Sequence, residues 1–320
     1  MIQKACLMLG VGRAWAIAAG LVGLAMLQPA EANVYRLPSP SDGVVGHAFY
    51  VKARYEDTLL DIGRHNGLGY DEMKVANPGV DMWLPGAGRE VLVPDEFVLP
   101  DAPRVGVVIN LAEMRIYYYP PGTDQVQTFA IGIGREGWGT PVGTFRISQK
   151  IDGPSWVPPA SIRAEHLAEG QPPLPAVVPA GPDNPLGAYA LRLSVPGYLI
   201  HGTNKPWGVG MRVSHGCIRM YPEGIEKLFS EVSVNTPVAI VNQPFKVGWR
   251  GNDLYLEVHA TDQDKTKPLT DVIPPAIANA QGVRVDWGAV RRAVTESTGL
   301  PQLVGGRQGS VDPLYLRMIF

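Results

Sequence analysis

Between residues 104 and 242 the chain is written in short apolar runs, each cut off by glycine, proline or asparagine before it reaches helical length. "VGVVINLAEMRIYYYP" predicts two strands around a turn at residues 110–113, and "QVQTFAIGIG" and "VGTFRISQK" predict two more, split by the glycine-rich "REGWGTP". "YALRLSV", "GYLIHGT" and "TPVAIVN" add further strands. A chain that spends its apolar residues this way cannot build a helix bundle. It is mainly β, closing sheets on one another as a β-sandwich or irregular barrel. Only "PEGIEKLFSEV" reads as a helix in this region, with Pro222 suited to its first turn. The 30 prolines and 37 glycines among 320 residues fit a protein of strands and loops.

The N-terminus reads as a secretory signal over residues 1–32. Lys4 and Arg13 supply its positive end, "AWAIAAGLVGLAML" its apolar core, and Ala30 and Ala32 an A-x-A cleavage pattern before Asn33. The apolar run is shorter than the roughly 20 residues that span a bilayer, and no second run of that length follows. The mature protein is therefore expected to be exported, with no integral membrane segment. A formal net charge of −2 offers no basic surplus for nucleic acid or an anionic membrane surface.

Residues 47–95 form a compact unit. "FYVKA" alternates like a strand. "DTLLDIGRHNG" offers Asp57 as a helix cap, Leu59, Leu60 and Ile62 as a buried face and Gly67 as a stop, "YDEMKVANPG" reads as a second helix, and "REVLVP" as a closing strand. Strand, helix, helix, strand, with "EDTLLDI", "VANPGV" and "LPGAGREVLVP", resembles a LysM module, a peptidoglycan-binding α+β fold. Where many such modules begin Gly-Asp-Thr-Leu, this chain has Glu56-Asp57-Thr58-Leu59. The body that follows spans residues 104–243. Within it, residues 151–187 form a proline-rich insertion long enough to act as a lid or binding loop. In the extension over residues 244–320, "FKVGWRGNDLYLEVHA" is a hairpin expected to add to that body. "VDWGAVRRAVTESTG" spaces Val285, Val290 and Val294 on one side of a helix, and the tail from Leu300 has no evident role.

The chain has two cysteines, and Cys6 leaves with the leader. Cys217 is then the one thiol of an exported protein, where cysteines normally pair. It stands in "RVSHGCIRMY", two residues after His215. A catalytic cysteine needs a base within hydrogen-bond reach, because the thiolate is the nucleophile. If "SHGCIR" is extended, His215, Cys217 and Arg219 share one face, and neighbours along a strand are too far apart for easy contact. His201, ending the apolar strand "GYLI", can approach from across the sheet and is favoured as the base, with His215 in support. Gly216 suits a close backbone approach. The N–H groups of Gly216 and Cys217 are candidate oxyanion donors, and Arg219 either holds a substrate carboxylate or raises the thiolate fraction.

"HGTNKPWGVGMRVSHGCIRM" resembles the catalytic signature of the YkuD-type L,D-transpeptidases. The likeness extends through "EMRIYYYP", "IGIGREGWGTPVGTF", "GPDNPLGAYALRL" and "YPEGIEKLF". The resemblance implies a β-sandwich catalytic domain with Cys217 as nucleophile and His201 as proton acceptor and donor. It implies that the carbonyl of Gly202 orients His201, with Ser214, His215, Gly216 and Arg219 completing the site. Thr203, Arg219 and Trp156 of the insertion are the candidate substrate contacts, although Trp156 could equally pack the lid. The implied reaction needs no cofactor. Cys217 attacks the carbonyl before the terminal D-Ala of a peptidoglycan tetrapeptide stem, D-Ala leaves, and an amine resolves the thioester. The acceptor is a lysine of an envelope lipoprotein or a side-chain amine of another stem, and water in its place would make a carboxypeptidase. The implied location is the periplasm.

Two other readings compete with this one. His201, His215 and Cys217 as zinc ligands would have an unusual His-x-Cys spacing and no fourth ligand nearby. A cell-wall-binding protein with an inert Cys217 would leave the rest of the motif unexplained.

Overall fold

The computed structural model describes residues 32–307 except 38, 40, 136 and 137. The expected leader, Ala32 apart, lies outside the described residues, as does the tail from residue 308. No helix among the described residues is long and apolar enough to cross a membrane.

The N-terminal part comprises β1 (Asn33–Arg36), β2 (Val44–Gly46), β3 (Phe49–Lys52), α1 (Leu59–His65), α2 (Tyr70–Ala76), β4 (Glu90–Val93) and β5 (Glu96–Val98). β3 and β4 pair antiparallel, so the strand–helix–helix–strand order expected for residues 47–95 is present. The cap of α1 is Thr58 and not Asp57. The Thr58 hydroxyl accepts the Asp61 N–H at 3.0 Å while the Asp61 carboxylate accepts the Thr58 N–H at 3.1 Å. This reciprocal box satisfies two backbone donors, and Asp57 turns back to accept the Arg54 N–H at 2.7 Å.

The body contains β6 (Gly106–Asn110), β7 (Arg115–Tyr119), β8 (Gln125–Gly134), β9 (Gly143–Asp152), α3 (Ala160–Ala168), β10 (Tyr189–Leu193), β11 (Leu199–His201), β12 (Arg212–Ser214), β13 (Ile218–Met220), α4 (Pro222–Glu231) and β14 (Pro237–Val241). Its sheet runs β8-β13-β11-β10-β9-β14-β6-β7, and β7 pairs back with β8. The long strands pass from one half to the other. β8 pairs with β7 through residues 127–130 and with β13 through 131–132, and β9 changes partner from β14 to β10 near Ile147. The two halves enclose Ile109, Ile116, Ile131, Ile147, Leu191, Ile200, Ile218 and Ile240, with Ile225 and Leu228 of α4 closing one end.

β6 and β7 are buried on both faces. Val107, Ile109, Ile116 and Tyr118 point into the body, whereas Val108, Tyr117 and Tyr119 join Leu59, Met73, Val91 and Phe97 of the N-terminal unit. That double burial explains why "VVIN" and "IYYY" lack polar alternation.

The extension forms its own layer: β15 (Phe245–Arg250), β16 (Asp253–Val258), α5 (Pro275–Ala278), β17 (Val283–Val285), α6 (Trp287–Glu296) and β18 (Gln302–Arg307). The order β15-β16-β18-β17 is a separate four-stranded sheet, so the expected hairpin does not enlarge the body. The tail supplies β18, an inner strand of that sheet. Its "VGG" hides the alternation, and the glycine is required, since a Cβ at Gly305 would lie 2.3 Å from the Arg284 carbonyl. Val290 and Val294 of α6 are buried as expected, while Val285 belongs to β17.

Two buried cations bind these parts together. Arg115 of β7 pairs with Glu72 of α2 at 2.6 Å, donates to the Gly67 carbonyl and lies 4.1 Å over the Phe97 ring. Lys246 of β15 donates to Glu113 at 2.6 Å and to the Val98 carbonyl at 2.6 Å, and pairs with Glu257 at 2.8 Å. Glu113, Glu257 and His259 bring ligand atoms within 4.8 Å of one another, and the Lys246 ammonium is the cation among them. Lys246→Met leaves two buried carboxylates without their counter-charge and is expected to lower stability by about 3–5 kcal/mol. Adding Glu113→Gln and Glu257→Gln should recover part of that. Urea unfolding of the set checks this, and a single variant as stable as wild type would contradict it.

Candidate active site

The "SHGC" segment is a turn rather than an extended strand. β12 and β13 both pair with β8, one parallel and one antiparallel, so the chain must reverse between Ser214 and Ile218. Gly216 makes the reversal with φ +98°. A Cβ there would lie 3.2 Å from the Tyr198 ring and 3.4 Å from the Trp138 carbonyl. Two side chains hold the turn. The buried Ser214 hydroxyl donates to the Cys217 carbonyl at 2.6 Å, and the Thr140 hydroxyl donates to the Gly216 carbonyl at 2.9 Å. The expectation of one shared face for His215, Cys217 and Arg219 therefore fails, because the φ of Gly216 sends His215 elsewhere.

β11 and β13 are parallel neighbours, with Ile200 opposite Ile218 and His201 opposite Arg219. Cys217 immediately precedes β13. His201 stands opposite Arg219, itself two residues after Cys217, which brings the three residues into one neighbourhood, and the Arg219 charge acts on both His201 and Cys217. His201 is 4% exposed. Its Nδ1 lies 2.6 Å from the Gly202 carbonyl oxygen. A carbonyl can only accept, so Nδ1 carries the proton and Nε2 keeps its lone pair. Burial, and then the Arg219 charge, push the imidazole pKa down to about 4, so at neutral pH the ring is uncharged. The half-buried Cys217 thiol, 3.8 Å from the Gly197 carbonyl, is pushed up by burial, with the Leu199 backbone and Arg219 opposing. Thiol and imidazole thus rest neutral. The buried Nε of Arg219 has no partner among the described residues.

His215 faces the insertion. Its Nε2 donates to Glu165 of α3 at 2.6 Å, and its ring meets Trp138 edge-on at 4.8 Å between centroids. The Arg135 guanidinium binds the other oxygen of the same carboxylate, and the Arg135 N–H donates to the Ser214 carbonyl at 2.9 Å. Arg135 and His215 hold the Glu165 carboxyl below the usual range. Glu165 and Arg135 were not legible as site residues. Each lies far along the chain from the turn, and an acidic residue in a proline-rich insertion was the one available sign.

Thr203, expected as a substrate contact, is 4% exposed, and its hydroxyl accepts the Lys205 N–H at 2.9 Å. It shapes the loop after His201. Trp156 pairs through its backbone with Val178 and so closes the insertion on itself. Asn184 completes that closure, donating to the Pro154 and Pro179 carbonyls and accepting the Leu186 N–H. His201, His215 and Cys217 do not converge as a ligand set, since His215 is turned to Glu165 and His201 to Gly202.

The family model for the L,D-transpeptidase catalytic domain, YkuD, matches residues 104–240. The chain is 40% identical over 301 residues to the probable L,D-transpeptidase YcfS of Escherichia coli K12, covering 91% of this chain and 93% of that protein. It is 40% identical over 288 residues to the probable L,D-transpeptidase ErfK/SrfK of Salmonella typhimurium LT2, covering 86% and 92%. Identity reaches 43% over 246 residues with the probable L,D-transpeptidase YbiS of Escherichia coli K12, covering 76% and 80%. The chain belongs to the L,D-transpeptidase family. It is an enzyme of the cysteine-bearing YkuD type, and the resemblance carried by "HGT" and "SHGCIR" is borne out at the level of family and activity.

Two measurements probe the geometry. Gly216→Ala cannot keep the turn without strain and is expected to lower turnover by about 100-fold with the fold retained; unchanged turnover would show the turn is not critical. Alkylation of Cys217 by iodoacetamide should climb through the alkaline range with a midpoint above that of a free thiol. A plateau reached below about pH 7 would instead signal a resting thiolate–imidazolium pair.

Proposed function

We propose that this enzyme acts on peptidoglycan stems in the periplasm through a thioester on Cys217. The observation that carries the reading is the fixed tautomer of His201: Nδ1 is bound to Gly202, leaving an uncharged ring with a free lone pair on Nε2, on the strand next to the one that Cys217 precedes. His201 takes the thiol proton as Sγ attacks the carbonyl before the terminal D-Ala. The N–H groups of Gly216 and Cys217 receive the oxyanion. His201 then returns the proton to the departing amine, D-Ala leaves, and the stem remains as a thioester. An acceptor amine attacks, loses its proton to His201, and frees the thiol.

Arg219, with its unpartnered Nε, is the second supporting group, suited to a substrate carboxylate. The acceptor is a lipoprotein lysine or the side-chain amine of a second stem. The N-terminal strand–helix–helix–strand unit is proposed to be LysM-like and to hold the glycan, and the leader to direct export.

Cys217→Ala should abolish D-Ala release from tetrapeptide stems without loss of fold. His201→Ala should cost about 10²–10⁴ in kcat, well beyond His215→Ala. A Cys217→Ala protein that still releases D-Ala would overturn the mechanism. The reverse order of the two histidines would reassign the base. Mass spectrometry of muropeptides from cells overproducing the enzyme separates 3→3 cross-links, lipoprotein remnants and bare tripeptides.

A further inference from the structure

The pairing of Glu165 with Arg135 and His215 is more than an ion pair on the surface of a lid. Arg135 Nη2 binds Oε1 and His215 Nε2 binds Oε2, so two donors from the catalytic body close on one carboxylate. The Arg135 guanidinium also lies 5.9 Å from the centre of the Trp138 ring, and that ring meets His215 edge-on. This is a carboxylate niche with an aromatic wall, built on the residue two before the nucleophile.

The carboxylate that fills it comes from a weakly anchored element. α3 has no fully buried residue, and Ile162 is only partly covered, so apolar packing holds it weakly. The insertion is consolidated without Glu165. Arg163 gathers the carbonyls of Pro158, Leu174 and Ala176, Asn184 gathers those of Pro154 and Pro179, and Trp156 pairs with Val178. Residues 183–186 stay anchored, by Asn204 donating to the Asp183 carbonyl at 3.0 Å and by the buried Leu186. The α3 part of the insertion is tied to the turn through the charged contact, so α3 can swing away once that contact is exchanged. The Glu165 carboxyl is held below its usual range by the same two partners, so it sits there as an anion.

We propose that the Arg135–His215 niche is a binding site for a free carboxylate of the stem peptide, and that Glu165 is its internal placeholder. This rests on the reading of Cys217 as acting on peptide stems. An arriving stem would exchange its carboxylate for that of Glu165, releasing α3 and opening the insertion next to Cys217. Arg135 is then a specificity residue, and Glu165 a positioning residue that acts through it. Two carboxylates of a stem fit this chemistry: that of the terminal D-Ala, and the one on the side chain of a diamino-diacid third residue.

The test measures D-Ala, or D-alaninamide, release from three tetrapeptide stems: unmodified, amidated at the terminal carboxylate, and amidated at the side-chain carboxylate. Wild type, Arg135→Ala and Glu165→Gln are compared in the full-length mature protein. In wild type, one of the two amidations is expected to raise KM about tenfold or more, which identifies the source. Arg135→Ala should raise KM for the unmodified stem by a similar factor, leave kcat within about threefold, and lose the penalty for that amidation. Glu165→Gln, which withdraws the internal competitor, should lower KM for the unmodified stem. An amidation penalty that persists in Arg135→Ala, or a Glu165→Gln enzyme with raised KM, would overturn the proposal. No release by wild type from any stem would instead strike the underlying reading of the enzyme.

Discussion

The Lys246 ammonium is where the three parts of the chain meet. It satisfies the Val98 carbonyl of the N-terminal unit, Glu113 of the body and Glu257 of the extension, none of which has water to turn to. Burial pushes both carboxylates up. Lys246 and His259 outweigh that at Glu257, whose carboxyl stays below the usual range, whereas Glu113, also facing the Glu257 charge, remains raised. Glu113 lies in the turn between β6 and β7, and that turn reaches the site. The Leu111 carbonyl accepts from Arg212 at 3.1 Å and the Met114 carbonyl accepts from Ile131 at 2.9 Å, which steadies β12 and β8 on either side of the catalytic reversal. A buried charge of this kind adds little net stability over an apolar substitute, but it admits one arrangement of the segments around it.

The N-terminal unit supports the site from another side. The first N–H groups of α2 donate to the Val209 and Gly210 carbonyls, in the loop leading from His201 to the nucleophile. The approach is close enough that a Cβ at Gly69 would lie 2.6 Å from Gly210 Cα. The same unit that the proposal gives to glycan binding is thus a structural brace for the catalytic loop. At the centre of this frame Cys217 and His201 rest uncharged, with the Arg219 guanidinium near both. In the proposed mechanism charge develops only as the thiol proton moves, where Arg219 is suited to stabilise a thiolate or an incoming carboxylate.

Much of the fold was legible because its signals are local. The strands from "VGVVIN" to "TPVAIVN", the helix at Pro222 and the two helices before residue 80 follow from period, caps and breakers. Failures came where a neighbour set the outcome. β18 was hidden because Arg284 demands a glycine in the middle of a strand. That Thr203 is buried and turned to the Lys205 N–H was not written in the motif either. The extended reading of "SHGCIR" failed because β12 and β13 must both reach β8, and Gly216 absorbs the reversal.

By itself the sequence determined the family: a thiol in "SHGCIR", a histidine at the end of an apolar strand, and a motif complete enough to name it. These are matters of residue type and order, which survive without coordinates. Only the tertiary structure decided which nitrogen of His201 is free, where His215 points and what covers the turn. Each depends on a carbonyl or carboxylate brought from another element. Glu165 reaches His215 from an insertion 50 residues up the chain, and spacing within the motif holds no record of that approach.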